Sequence, residues 1–196
     1  MGSALPSDLW NSFVNGNSSC FRKLFKKYYK GMYGYGLKLC NDPVLVEDGI
    51  QELFESIWVR RDNLKHIKSP NVYLFVSLRR NILKARKSRT ETEDLLDDSF
   101  ILNFGAEEII IKNESQKEQK KALQKALNQL SNQQKEVIYL HFYNGMSYSE
   151  IEEILSINRQ SVRNHMHRAM VTLRTVLKTD VMRLVISLLI SVLIFI

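Results

Sequence analysis

The stretch from Ser147 to Leu177 constrains the fold more than any other, because it predicts two capped helices separated by a short turn. Ser147 and Glu150 have the spacing of a capping box, in which a hydroxyl and a carboxylate bind free N–H groups at a helix start. Asn158 ends the turn and is a favourable N-cap for the second helix. Apolar residues recur at helical spacing on both sides of the turn, so the stretch predicts a packed pair of helices.

The second helix of this pair has two faces of different chemistry. Its apolar residues fall on one side, and polar side chains at i, i+3, i+4 and i+7 share another. Arg reads guanine and Asn or Gln reads adenine in the major groove of DNA, so the polar face suits base recognition. The alternative is an ordinary solvated basic face. The candidate DNA-binding residues are Arg159, Gln160, Ser161, Arg163, Asn164, His167 and Arg168.

Charge is distributed unevenly along the 196 residues, whose net charge is +7. Residues 20–90 contain 16 Lys and Arg against 6 Asp and Glu, and residues 119–196 contain 10 against 5. The intervening residues 91–118 contain 2 against 9. Two basic regions around an acidic one are typical of two domains that face a polyanion and are joined by a solvated linker.

Helical periodicity and scarce strand-type alternation predict an all-α fold of two small helical domains. The first domain is expected at residues 6–90 and the helix-turn-helix domain at residues 116–179. Residues 91–115 form the predicted acidic linker, and residues 180–196 form a hydrophobic C-terminal tail helix.

The helix predicted after Asp42-Pro43 has an acidic outer side within a basic region. Glu47, Asp48, Gln51 and Glu52 face outward at helical spacing, while Phe54 and its apolar neighbours face inward. An acidic surface suits a protein partner with a basic surface, and the alternative is a solubilising face.

The helix predicted after Ser69-Pro70 mixes apolar and basic residues, and a polar loop at residues 62–68 precedes it. A strand opened from duplex DNA needs cations along its phosphates and a site for unstacked bases. The candidate residues for such a strand are Asn63, His66, Arg79, Arg80, Asn81, Lys84 and Arg86. An ordinary polar connection is the alternative for the loop.

The C-terminal tail is apolar from Leu184 to Ile196 except for two serines. Thirteen helical residues span ~20 Å, which is short of the ~30 Å hydrocarbon core of a bilayer. Packing against another helix and membrane contact through residues 181–196 both remain open. No signal peptide is evident at the N-terminus, so we expect a cytoplasmic protein.

No residues in the sequence have the spacing of a catalytic site, a metal site or a phosphate-binding loop. We therefore expect neither an enzyme nor a cofactor. Cys20 and Cys40 should lie ~30 Å apart if one helix holds both, so they are expected to be reduced.

Two motifs resemble the extracytoplasmic-function (ECF) group of bacterial RNA polymerase sigma factors. The stretch Gly145-Met146-Ser147-Tyr148-Ser149-Glu150-Ile151, with Arg168-Ala169 and Leu173, is similar to their C-terminal helix-turn-helix domain. The stretch Glu47-Asp48-Gly49-Ile50-Gln51-Glu52-Leu53-Phe54 is similar to their core-binding motif. The chain departs from the family at Glu152, where Ala is usual, and at Ser156, where Gly is usual. Both changes are expected to loosen the helix packing slightly.

The resemblance implies a sigma factor that directs core RNA polymerase to promoters and opens them. Residues Glu47, Asp48, Gln51, Glu52 and Phe54 would bind the polymerase β′ clamp helices, with the β flap as a further contact. The helix-turn-helix would read the minus-thirty-five element, and the basic helix with its loop would hold the melted minus-ten strand. The resemblance also implies an anti-sigma factor. The alternatives are a helix-turn-helix regulator that does not bind polymerase and a membrane-associated interaction protein that acts through its tail.

Overall fold

The structure, a computed structural model, describes residues 6–89, 100–102 and 114–176. Eight α-helices and no strands occur in these residues, which confirms the predicted all-α fold. The chain divides into two compact units, with the boundary between Asp97 and Asp98.

The first unit contains four helices and a 3₁₀ turn. They are α1 (Pro6–Val14), α2 (Ser18–Cys40), α3 (Pro43–Val59), the turn Arg61–Leu64 and α4 (Pro70–Arg89). The second unit contains α5 (Glu114–Asn128), α6 (Asn132–Ile138), a π-helical turn (Tyr139–Tyr143), α7 (Tyr148–Leu155) and α8 (Arg159–Val176).

Short polar side chains fix where the helices of the first unit begin. The N-cap of α2 is Asn17, whose Oδ1 accepts hydrogen bonds from the backbone N–H groups of Ser19 and Cys20. Asp42 caps α3 as predicted, with Pro43 at the first helical position.

The core of the first unit lies where α2 packs against α3 and α4. Gly36 of α2 occupies the closest approach, since a Cβ built on it would lie 2.6 Å from Val46 Cγ1 and 3.1 Å from Ile82 Cδ1. Trp10 of α1 is buried and donates its indole N–H to the carbonyl oxygen of Leu64 at 3.4 Å. This bond fixes the turn after α3 against α1.

Two capping boxes begin helices of the second unit, and the one at Ser147 was predicted above. Ser131 with Gln134 starts α6, and Ser147 with Glu150 starts α7. The π-helical turn between them was not predicted. The imidazole Nδ1–H of His141 donates to the carbonyl oxygen of Met146 at 2.8 Å, which fixes the chain leaving that turn.

Part of the predicted linker packs on the second unit. Phe100 and Leu102 are only 3% and 5% exposed. The ring of Phe100 lies 5.6 Å from that of Tyr139, and Gln124 donates its side-chain amide to the carbonyl oxygen of Leu102. These apolar residues therefore belong to the helical core of this unit. Helix α5 begins at Glu114, inside the predicted linker. Residues 91–99 and 103–113 of that linker and the predicted tail at residues 180–196 lie outside the described residues.

The two cysteines are free thiols on the same helix, α2, as expected. Within the described ranges, no helix combines the length and the apolar character needed to cross a membrane.

Candidate functional surfaces

The acidic face of α3 consists of Glu47, Asp48, Gln51 and Glu52, and all four side chains are exposed. Gln51 donates its amide to Glu55 Oε1 at 2.9 Å, one helical turn further on. The helix contains four carboxylates and no Lys or Arg. The face therefore presents a negative surface that suits a basic partner.

Phe54 does not belong to that surface. It is 3% exposed, and its ring packs at 5.0 Å from Phe25 and 5.8 Å from Phe21 of α2. A side chain buried in this way is not available to a docked partner. We correct its predicted role from polymerase contact to support, because it fixes α3 on α2.

Aromatic residues of α2 lie beside the acidic face. The rings of Phe25, Tyr29 and Tyr33 follow one another at one-turn spacing, with centroids 5.1 and 5.7 Å apart. Burial raises the pKa of Tyr29, and the negative charge of Glu47 and the phenol of Tyr33 raise it further. All three effects favour the protonated phenol, which keeps its O–H donor.

The residues of α4 predicted to hold DNA are spread over three sides of the helix. Arg80 and Lys84, one turn apart, are exposed and form an outward basic stripe with the exposed Lys87. Arg79 is half-buried. Asn81 lines a groove of about 190 Å³ with Asp48 and Glu52 of α3. Asn81 thus lies with predicted polymerase-binding residues and not with the basic stripe.

Arg86 has a structural bond. Its Nη1 donates to the carbonyl oxygen of Leu39 at 2.7 Å, within the last turn of α2. A cation at a helix C-terminus satisfies a free carbonyl and complements the helix dipole. Arg86 therefore joins α4 to α2, and its contact with DNA stays a prediction.

The turn before α4 exposes both of its predicted contact residues, Asn63 and His66. Leu64 between them is buried, and its backbone carbonyl oxygen accepts the indole N–H of Trp10. Lys65 pairs with Asp62 at 3.5 Å on the surface.

Helix α8 keeps its two faces separate. Val162, Met166, Ala169 and Leu173 are buried. All the predicted DNA-binding residues are exposed except Ser161, which is half-buried. Those residues are Arg159, Gln160, Ser161, Arg163, Asn164, His167 and Arg168. The helix therefore presents a polar surface free of large apolar side chains over its first three turns.

Hydrogen bonds organise the start of α8. Asn158 caps the helix by accepting the Ser161 backbone N–H at 2.8 Å, as predicted. Gln160 donates its side-chain amide to Asn164 Oδ1 at 3.1 Å. This bond leaves the Gln160 carbonyl oxygen and the Asn164 amide N–H groups available to a base edge.

Ser156 takes the left-handed conformation at the end of α7, with φ 54°. Glycine adopts this conformation without the steric cost that a Cβ adds. This conformation explains why glycine is usual at this position in the family. Ser156 keeps the same turn at some cost in stability.

Helix α2 carries a basic face that we did not predict. Arg22, Lys23, Lys26, Lys27 and Lys30 are all exposed, and α2 contains no Asp or Glu. The sequence signal for this basic face was a run of 23 residues without Asp or Glu.

Comparison with protein families matches both units. Residues 24–101 match the model for sigma-70 region 2, and residues 120–173 match the model for sigma-70, region 4. The two matched ranges together cover more than half of the chain and follow the order in which the units occur.

The chain belongs to the sigma-70 family. The resemblance to sigma factors found in the sequence is thereby confirmed. Sigma factors bind core RNA polymerase and promoter DNA in transcription initiation and are not enzymes. The region 4 match extends from α5 to α8, and its helix-turn-helix is formed by α7 and α8.

Solved structures share this fold. CnrH, in complex with the cytosolic domain of CnrY, is 17% identical, with a TM-score of 0.57 over 85% of this chain and 93% of that one. The sigma factor RpoE, in complex with the anti-sigma factor NepR from Bartonella quintana, is 22% identical. Its TM-score is 0.58 over 82% of this chain and 98% of that one. At such identities the likeness concerns the fold. A search of curated proteins by sequence found no match.

No group of three potential metal ligands occurs among the residues that the structure describes.

Proposed function

We propose that this sigma factor directs core RNA polymerase to specific promoters and takes part in opening the duplex. The observation that supports this most is that one chain carries two exposed surfaces of different chemistry, the acidic face of α3 and the polar face of α8. One lies within the region 2 match and the other within the region 4 match.

The acidic face of α3 is the proposed dock for the polymerase β′ clamp helices. Its four side chains are exposed, and the helix is anchored underneath by Phe54. Complementary charge speeds encounter and excludes wrong partners. Reversal of the charges in Asp48→Lys/Glu52→Lys should lower core affinity at least tenfold and leave the helical content unchanged.

The polar face of α8 is the proposed reader of the minus-thirty-five element. Arg163 and Asn164 are exposed, and Asn158 holds the start of the helix. Arg offers two donors to guanine and Asn pairs with adenine, so this face has the groups that base recognition needs.

The basic stripe of α4 and the turn before it are the proposed site for the melted minus-ten strand. Arg80 and Lys84 supply exposed cations, while Asn63 and His66 supply polar groups at the adjoining turn. Cations that follow phosphates and polar groups that meet unstacked bases are the usual components of single-strand binding.

The deciding experiment is co-elution of the full chain with bacterial core RNA polymerase, followed by transcription from a library of random promoters. Start sites that share two spaced motifs would support the proposal. DNA binding without co-elution would favour a regulator that does not bind polymerase, which is the second candidate from the sequence.

An anti-sigma factor is the proposed inhibitory partner. The similar protein RpoE was solved with such a factor. Membrane contact through residues 181–196 stays a prediction, since these residues lie outside the described part of the chain. Cell fractionation with and without residues 181–196 tests it.

A further inference from the structure

The basic face of α2, formed by Arg22, Lys23, Lys26, Lys27 and Lys30, has no role in the function proposed so far. The five residues recur at intervals of one, three and four along the helix, so their side chains spread over one broad side. With a rise of 1.5 Å per residue, the face extends over ~12 Å of helix.

These cations have no acidic partners in the described residues. Among the described residues an ion pair joins Lys65 and Asp62, and neither of them is on α2. Lys27 instead lies over an aromatic ring, with its Nζ 5.9 Å from the centroid of Tyr28. The helix itself has no carboxylate to compensate them. Five uncompensated charges on one side of a helix repel one another, and a polyanion would relieve that repulsion.

The composition of the face favours phosphate over a protein partner. Protein interfaces are depleted in Lys and have an apolar centre. The large apolar side chains exposed among the described residues are Val44, Val59 and Val171, and none of them is on α2. Phosphate backbones, in contrast, are bound by Lys and Arg without apolar contact.

We propose that the basic face of α2 is a sequence-independent binding surface for the phosphate backbone of DNA, in addition to α4 and α8. The proposal deepens the promoter binding proposed above. The face would add affinity without adding sequence preference, since phosphates carry no direct sequence information.

The test uses the full-length chain and fluorescently labelled DNA of unrelated sequence, with affinity measured across a series of salt concentrations. The variant Lys26→Gln/Lys30→Gln removes two exposed cations one turn apart. Its matched control, Lys121→Gln/Lys125→Gln, removes two exposed cations at the same spacing on α5. Far-UV circular dichroism checks that both variants stay folded.

Each lost phosphate contact lowers the slope of log affinity against log salt by ~0.9 on duplex and ~0.7 on single strands. The α2 variant should therefore lose ~1.4–1.8 from the slope, and the control should lose none. Duplex and single-stranded probes run in parallel show which form of DNA the face holds.

An unchanged slope in the α2 variant would overturn the proposal. If the affinity for core polymerase also fell in that variant, the face would bind protein and not DNA. This measurement needs neither polymerase nor a promoter, so it stays decisive if the promoter library yields no shared motifs. If the library succeeds and the slope does not move, only the inference about α2 fails.

Discussion

The predicted contact residues of α8 take no part in packing that helix, whereas several of those in the first unit also stabilise the fold. On α8, buried apolar residues lie on one side and the predicted DNA-binding residues on the other. In the first unit, Phe54 lies in the core, Arg86 bonds to the end of α2, and Asn81 faces a groove between α3 and α4.

The difference follows from the surroundings of the helices. Helix α8 has one packed side, so periodicity alone separates its roles. Helices α3 and α4 each lie beside α2 and each other, so fewer of their positions remain free. Substitutions on α8 should therefore change binding alone, and those in the first unit should often change stability as well.

The largest effect should come from Phe54→Ala. Removing a buried aromatic ring leaves a cavity, so the free energy of unfolding of the first unit should fall by ~3–5 kcal/mol. Urea denaturation followed by circular dichroism measures this loss. The control Phe54→Leu keeps most of the apolar volume and should retain both the fold and core polymerase binding. Loss of binding in a well-folded Phe54→Leu protein would restore a contact role.

Arg86→Ala should come next. A hydrogen bond from a charged donor contributes ~1.5–3 kcal/mol, and its loss leaves the Leu39 carbonyl without this donor. Urea denaturation of the variant should show that cost. The neighbouring Lys84→Ala is the control, since an exposed lysine should change stability by at most ~0.5 kcal/mol. Equal stability of the two variants would mean that Arg86 is as free as Lys84.

Arg163→Ala should change binding and leave stability as it is. If Arg163 makes a bidentate base contact, discrimination at one base position should fall by ~1–3 kcal/mol. Transcription from promoters with each base at that position measures the effect. Uniform weakening over all sequences would make Arg163 a phosphate contact, and a drop in stability would remove the contrast with the first unit.

Ser156→Gly should have the smallest effect and the opposite sign. The left-handed conformation costs a residue with a Cβ ~1–2 kcal/mol, and the greater freedom of glycine in the unfolded chain offsets part of the gain. We expect ~0.5–1 kcal/mol of added stability in the second unit, with unchanged base preference. Thermal denaturation measures the gain, and no gain would mean that the serine hydroxyl compensates for the strain.

Local signals in the sequence predicted most of the fold. Both capping boxes and the caps at Asp42 and Asn158 follow from residue types at fixed spacing, and the structure has them. The exposed residues of α3 and α8 follow from helical periodicity. Where periodicity and the family motif disagreed, at Phe54, the inward position from periodicity was correct.

Features that depend on distant residues were not predictable in this way. The bond from Arg86 to Leu39 joins residues 47 apart, and Phe100 packs on Tyr139 across the start of the second unit. Neither pair has a local pattern. The basic face of α2 was visible in the sequence, but the charge count over residues 20–90 included both α2 and α4 and so did not separate the two helices.

Gly36 connects the three surfaces of the first unit. The acidic face of α3, the basic face of α2 and the basic stripe of α4 belong to helices that meet where Gly36 lies against Val46 and Ile82. A side chain at this position would push the helices apart and so change the angles between all three surfaces. One glycine without any ligand of its own thus governs how the surfaces proposed for docking and for DNA contact are oriented, so a substitution here should weaken binding with every proposed contact residue intact.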